Sequence, residues 1–347
     1  MRVLWVLGTH MSALDPSTDH GLVAFSPLAS DRLRVAVPAA ELARLGVESA
    51  FCVPDPDIAL PDPSAYDTVV IGKFSSPRAD DSVRIAWWMT FAQRVLDAGR
   101  RLIVDVSDNP FARRNPRADL YRRLLPKCSA VCVPSAWLGR AIAGHCRSAP
   151  RVVADPYEGR AAPARFALSD PLRLLWYGHP LNFRYLQAVL PGLADLSAER
   201  ALALEVVTDG VQGMEVALEK LSAQRAPRFA ARFTRWSLEM MPDAFDRCDL
   251  VIIPANPADP KKAGASPNRL IEALIAGRLP VASPLESYLP YSAYAVLDPD
   301  LVEGLRLALR SPQNMVARIE AGQRAVVARH APEVVARQWR EVLVEGD

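Results

Sequence analysis

Short apolar runs alternate with stretches of helical spacing along almost the whole chain. In the first half, Val3–Leu7, Glu48–Val53, Asp67–Gly72, Arg101–Val106, Ala130–Val133 and Arg151–Val153 read as strands. Most of them lack a polar alternation, the mark of strands covered on both faces, as in parallel sheets flanked by helices. Helical spacing appears over Ala36–Leu45, Arg84–Ala98, Leu120–Leu125 and from the cap Ser135 to Ala143, with Gly46, Gly99 and Gly144 as stops. From Asp155 to Asp170 the chain is rich in Pro, Ala and Gly without periodicity, and reads as a linker. The alternation then resumes. Strands are expected at Leu172–Tyr177, Leu202–Thr208, Phe229–Trp236, Leu250–Ile253, Leu279–Ala282 and Tyr294–Leu297. Helices are expected over Asn182–Leu196, Met214–Gln224, Met240–Arg247, Asn268–Ala276, Val302–Leu309, Asn314–His330 and Glu333–Val344. The pattern predicts an α/β protein of two Rossmann-like doubly wound domains facing a central cleft. Such sheets bind ligands at the carboxyl ends of their strands.

Composition narrows the function. The 347 residues suffice for two cores. Lys plus Arg total 41 against 39 Asp plus Glu, a formal charge of +2, with no basic block. That balance argues against a dedicated nucleic-acid binder, so no nucleic-acid partner is expected. No apolar run approaches the roughly 18 residues that span a bilayer. The opening run Val3–Leu7 reads as a buried strand rather than an export signal, and a cytoplasmic location is expected. The five cysteines read as packed thiols. Asp55-Pro56-Asp57 and Asp298-Pro299-Asp300 have the spelling of a metal-binding pair, but two carboxylates alone hold a hard cation poorly. His10, His20, His145 and His330 have no partner at ligand spacing, so no metal is expected. There is no G-x-G-x-x-G after the first strand, no P-loop and no G-x-S-x-G elbow.

The segment from Lys261 to Ser283 carries the sharpest chemistry. It runs from a loop with Lys261, Lys262 and Gly264 into a helix start at Ser266-Pro267-Asn268-Arg269, then through Glu272 to Gly277 and a buried strand. The N–H groups and dipole of a helix start favour a phosphate. Ser266 can cap the helix, Pro267 suits its first turn, and Arg269 and the lysines add charge suited to a diphosphate. Glu272, one turn further in, can accept from a vicinal diol such as a ribose; equally, it can be a solvated surface carboxylate.

This segment resembles the donor-site motif of GT-B glycosyltransferases, in particular the family-4-like group with its "EALAxGxPVVAS" run. Ser266-Pro267-Asn268-Arg269-Leu270-Ile271-Glu272-Ala273-Leu274 is similar to the "SPNRLIEAL" of a bacterial subgroup. Glu272 matches the second of that family's two glutamates, implied to hold the nucleotide ribose. The first falls at Gly264, and Ala265 stands where the subgroup has a lysine, for which Lys261 or Lys262 is the expected substitute. Trp176-Tyr177-Gly178-His179-Pro180-Leu181-Asn182 resembles the "WxGxxxN" turn after the first donor-domain strand. It implies pyrophosphate contact at Gly178 and Asn182, with His179 beside it or merely filling the turn. Ser30-Asp31-Arg32-Leu33-Arg34 resembles an "SxRLR" stretch, and Ala154-Asp155-Pro156-Tyr157-Glu158 a "DPYE" end of the acceptor domain.

The resemblance implies an acceptor-binding domain over 1–158, a donor-binding domain over 159–330 and a helix over 331–347 that crosses back to the first domain. It implies transfer of a hexosyl or related sugar from a nucleotide-diphosphate sugar to a hydroxyl acceptor, such as a glycan, lipid-linked or small-molecule acceptor, with no cofactor beyond the donor. The inner face of the cytoplasmic membrane, held peripherally, is an expected place of work. Gly178, His179, Asn182, Lys261, Lys262, Ser266, Asn268, Arg269 and Glu272 are the expected donor contacts. Arg32, Arg34, Lys73 and Asn109 are the expected acceptor contacts. Asp108 is the candidate base if the reaction inverts, and otherwise a cap or core residue; in a retaining reaction the leaving phosphate can take the proton. A nucleotide-sugar epimerase or hydrolase, or a non-catalytic nucleotide-sugar-binding subunit, are the alternatives.

Overall fold

The protein is described from a computed structural model covering residues 1–7, 28–53, 60–74, 82–112, 115–210, 213–225, 227–260, 262 and 264–344. Residues 1–156, 264–266 and 329–347 form one unit, and 157–263 with 267–328 form a second.

The first unit is built on six parallel strands: β1 (Arg2–Val6), β2 (Glu48–Cys52), β3 (Thr68–Ile71), β4 (Arg101–Asp105), β5 (Ala130–Val133) and β6 (Arg151–Val152). Their order is β2-β1-β3-β4-β5-β6, so the winding reverses between β1 and β3. Helix α1 comprises Ala29–Asp31, a wider π-type turn over Arg32–Ala36, and Val37–Arg44. It is followed by α2 (Ser82–Asp97), α3 (Pro116–Leu124) and α4 (Ala136–Ile142). The Ser135 side chain caps α4 by accepting from the Leu138 N–H. Alternate strand residues feed two cores. Leu4, Val6, Val69, Ile71, Leu102 and Val104 pack on α2 and α3. Val3, Trp5, Val70 and Ile103 face the other way, onto Val35 and Leu42 of α1 and onto the C-terminal helix Pro332–Val344. The stripe of that helix, Val335, Trp339, Val342 and Leu343, is buried there, with the Trp339 ring edge-on to Trp5 at 5.1 Å.

The second unit has strands β7 (Leu172–Tyr177), β8 (Leu202–Thr208), β9 (Phe229–Arg235), β10 (Leu250–Ile253), β11 (Leu279–Ala282) and β12 (Val296–Leu297). All pair in parallel in the order β12-β11-β10-β7-β8-β9, with the reversal between β7 and β10. Its helices are α5 (Phe183–Leu196), α6 (Met214–Arg225), α7 (Met241–Arg247), α8 (Asn268–Ile275), α9 (Leu301–Arg310) and α10 (Met315–His330), the last two residues of α10 being counted with the first unit. Leu172, Leu174 and Trp176 feed one core and Leu175, Val251 and Ile253 the other.

Two expectations change. The first helix starts at Ala29, not Ala36, because Asp31, Arg32 and Arg34 are polar yet buried. Of the stretch expected as a linker over 155–170, residues 157–170 belong to the second unit and are bonded within it: Ala162 donates to the Ile275 carbonyl and Arg165 to that of Gly277. Gly277, at φ +71°, closes α8 against this stretch, and a Cβ there would collide with the Pro163 backbone.

Candidate functional site

The reversal between β7 and β10 is where a sheet of this order opens to a ligand. The residues after β7 and at the start of α8 meet there. Gly178 follows the last residue of β7. A Cβ at Gly178 would stand 3.5 Å from Nη1 and 3.7 Å from Cδ of Arg269, and 3.8 Å from Nδ2 of Asn182. Residues far apart in sequence, and singled out separately, thus form one cluster in which glycine leaves room for the guanidinium. Tyr177 fastens it: its hydroxyl donates to the Arg269 carbonyl at 2.8 Å. Burial, and then the charge of Glu272, push the Tyr177 phenol well above its ordinary pKa, so it remains a donor. Nη1 of Arg269 is shut off from solvent and has no hydrogen-bond partner among the described residues. A charged N–H left in that condition carries a desolvation cost that an anionic acceptor would offset.

The start of α8 adds its dipole to the same place. Its N-cap is Pro267, with no side-chain cap bond, so Ser266 does not cap the helix as expected; Asn268 is the first helical residue. His179 accepts from the Leu181 N–H through Nδ1 at 3.2 Å and caps the short turn Pro180–Asn182. Asp259 accepts from the Tyr185 hydroxyl at 2.8 Å and from Arg184 at 3.1 Å, and the Lys262 N–H donates to the Asp259 carbonyl. Those bonds tie the turn carrying Lys262 to the first turn of α5. Lys261 lies outside the described residues.

Glu272 is half-buried, and its carboxylate accepts from the N–H of Glu158 at 2.7 Å and of Gly159 at 3.1 Å. The structure therefore places it against main-chain donors, an arrangement that spacing did not foreshadow.

In the first unit, Lys73 and Asp108 follow the adjacent strands β3 and β4, and their side chains pair at 2.6 Å with partial exposure. The Asn109 side chain accepts from the Phe111 N–H and caps the turn after it. Arg34 is a correction. It is not presented to an acceptor but buried: it bonds both oxygens of Asp105 at 2.5 and 3.0 Å, Asp155 at 2.7 Å and the Val153 carbonyl at 2.6 Å. Burial raises the Asp105 carboxyl above the ordinary range despite Arg34. Arg32 is buried too, with 6% exposure. Gly264, where the glutamate of the resembled motif falls, packs in this unit. A Cβ there would run into the Trp137 ring, and its carbonyl accepts from Ser135 Oγ at 3.1 Å. Spacing gave no sign of Tyr177, Gly159 or Trp137, whose contributions are positional.

Among the described residues no group of three His, Cys, Asp or Glu side chains is placed to hold a metal ion, and no helix is long and apolar enough to cross a membrane. Asp55-Pro56-Asp57, His10 and His20 lie outside the described residues.

No protein-family model matches the sequence, and no curated protein matches it. Solved structures do. The Anabaena protein Alr3699/HepE, in complex with UDP-glucose, superposes with a TM-score of 0.68 over 99% of both chains at 12% identity. An alpha-glucosyltransferase in complex with UDP gives 0.63 over 99% of both chains at 10% identity. A glycosyltransferase from Rickettsia africae ESF-5 gives 0.62 over 99% of this chain and 97% of its own, at 10% identity. The chain has the GT-B fold. Its two parallel six-stranded sheets with flanking helices are the two Rossmann-like domains of that fold.

Proposed function

We propose that this protein is a glycosyltransferase that moves a hexosyl or related sugar from a nucleotide-diphosphate sugar to a hydroxyl acceptor. The observation that carries the reading is the buried Nη1 of Arg269, without a hydrogen-bond partner among the described residues and packed on Gly178 where the second sheet reverses, with Asn182 on the same glycine. A diphosphate supplies the missing acceptor, and cationic donors there stabilise the charge that builds on it as the sugar departs. The UDP and UDP-glucose held by proteins of the same fold support a nucleotide sugar as the ligand. The motif around Ser266–Leu274 supports the family-4-like bacterial subgroup. In this reading Lys261, Lys262, His179 and Asn268 line the donor, and Glu272 takes the ribose. Lys73 and Asn109 contact the acceptor, a glycan, lipid-linked or small-molecule hydroxyl compound met at the inner face of the cytoplasmic membrane. Asp108 is the base of an inverting transfer; in a retaining one the leaving phosphate takes the proton.

Gly264 favours a second reading, a nucleotide-sugar binder or hydrolase, since the wall of Trp137 excludes a carboxylate at that position. Calorimetry against a panel of nucleotide sugars, followed by nucleotide release with and without acceptors, separates the two. Release that depends on acceptor supports the transferase. Binding without turnover, or release without acceptor, overturns it.

A further inference from the structure

Between α2 and α3 the first unit has a groove of about 1040 Å³. That is the upper end of the roughly 300–1,000 Å³ of small-molecule sites. Its apolar lining comes from Ile85, Ala86 and Met89 of α2 and Leu120 of α3, with Asp119, Arg122 and Arg123 on the α3 side. In a parallel sheet the helix after a strand starts at that strand's carboxyl end. Helix α2 follows β3 and α3 follows β4, the two strands whose ends lead to the Lys73–Asp108 pair. The groove uses the first half of α2, the half nearer that edge. One bond fastens its wall there: the Phe74 N–H, one residue beyond Lys73, donates to the Tyr121 hydroxyl of α3 at 3.2 Å.

Positive charge gathers at this groove. Residues 113–127 hold six basic side chains and one acidic, in a chain whose formal charge is only +2. Arg122 is answered within the protein, since it pairs with Asp119 at 2.5 Å and lies over the Phe111 ring. Arg123 is exposed and has no ion pair among the described residues. No aromatic ring lines the groove for a base to stack on, which disfavours single-stranded nucleic acid. A free sugar gains little from Ile85, Met89 and Leu120. A hydrocarbon chain that ends in a phosphate suits both halves of the site: its methylenes leave water for the apolar lining, and its phosphate meets a guanidinium.

We infer that the groove between α2 and α3 is a subsite for a lipid-linked acceptor, with the chain on Ile85, Met89 and Leu120 and the phosphate at Arg123. The inference rests on the transferase reading above and narrows its acceptor to the lipid-linked class.

The test measures decyl phosphate, decyl maltoside and inorganic phosphate, each below micelle-forming concentration, by calorimetry on the full chain. UDP, GDP and ADP are run alongside as donor-site controls. Wild type is compared with Arg123→Ala and Ala86→Glu. Both positions are exposed and both new residues are good helix formers, so the ligand-free proteins are expected to melt at the wild-type temperature. Wild type is expected to bind decyl phosphate at one site, at least about 10-fold tighter than decyl maltoside, with inorganic phosphate undetected. Arg123→Ala is expected to weaken decyl phosphate by about 5- to 20-fold and Ala86→Glu by about 10-fold or more, with nucleotide affinity unchanged in both. In the acceptor-dependent release assay, decyl phosphate is expected to compete with acceptor and not with nucleotide sugar. Competition with nucleotide sugar instead, equal binding of the two decyl compounds, or undiminished decyl phosphate binding in both variants overturns the subsite. Binding to phosphatidylglycerol vesicles that both variants weaken, without binding of dispersed decyl phosphate, also overturns it and makes the groove a bilayer-docking face. Loss of decyl phosphate binding alone, with a nucleotide still bound, overturns the subsite and leaves the transferase reading standing. Binding of decyl phosphate but of no nucleotide overturns the transferase reading, and the acceptor role with it.

Discussion

Arg34 and Arg269 carry the same guanidinium, and the sequence offered both as ligand contacts. In the first unit, Arg34 has two carboxylates and a carbonyl around it, with 3% of its side chain exposed. In the second, Arg269 has a buried nitrogen with no partner among the described residues. The difference is one of completion. A buried cation whose donors are matched by its own domain is a structural strut, and one with a buried donor unmatched among the described residues, as at Arg269, has room for the anionic acceptor proposed above. Residue type and spacing do not separate the two; partners do.

Substitutions at the two sites are expected to have opposite signatures. Arg34→Met removes the partner of Asp105 and Asp155 and leaves carboxylates buried without compensation. It is expected to lower the stability of the first unit by about 3–5 kcal/mol, read from urea unfolding. A loss under about 1 kcal/mol would show that the cluster is wetter than its burial implies. Arg269→Ala is expected to weaken nucleoside-diphosphate binding by about 1.5–3 kcal/mol in calorimetry while leaving the melting temperature of the ligand-free protein unchanged or raised. A lower melting temperature with unaltered affinity would make Arg269 another strut.

The next effect belongs to the surroundings of Arg34. His330 Nδ1 lies 2.7 Å from the Asp155 carbonyl, and burial lowers its pKa to about 4. In the unfolded chain it titrates near 6.5. Below that value the unfolded state takes up a proton that the folded state refuses. Stability is thus present above about pH 6.5 and is lost as the pH falls toward 4. His330→Asn is expected to flatten that part of the stability profile; an unchanged slope would assign it to other groups. The smallest effect is expected at Lys73–Asp108, a partly exposed pair. Lys73→Ala should change stability by about 0–1 kcal/mol, less at high salt. A loss above about 2 kcal/mol would place this pair with Arg34.

What could be read from sequence follows from burial. Strands such as Val69–Ile71 and Leu250–Ile253 are covered on both sides, so their apolar runs stand out. The early part of α1 did not, because a pattern search takes polar residues as exposed, and Asp31, Arg32 and Arg34 are buried. Nor did the bonds of 157–170 to the second unit, since isolated main-chain bonds such as Ala162 to Ile275 leave no period. At the candidate site, Gly178, Asn182 and Arg269 were recognisable through residue type and motif. Gly159 and Tyr177 were not, because they act by where they hold a neighbour.

The pairing of Trp339 with Trp5 joins residues at opposite ends of the sequence, with all of β7 to β12 between them. A ribosome delivers the first sheet early, yet the helix that covers the face of Val3, Trp5 and Val70 leaves the tunnel only after the whole second unit. Until then that face is covered by α1 alone, and the rest of it is an apolar surface open to neighbouring nascent chains. Closing it is a contact of very long loop length, which slows folding. The first unit is therefore the last to be finished, and a chain stalled before residue 332 is a natural client for chaperones.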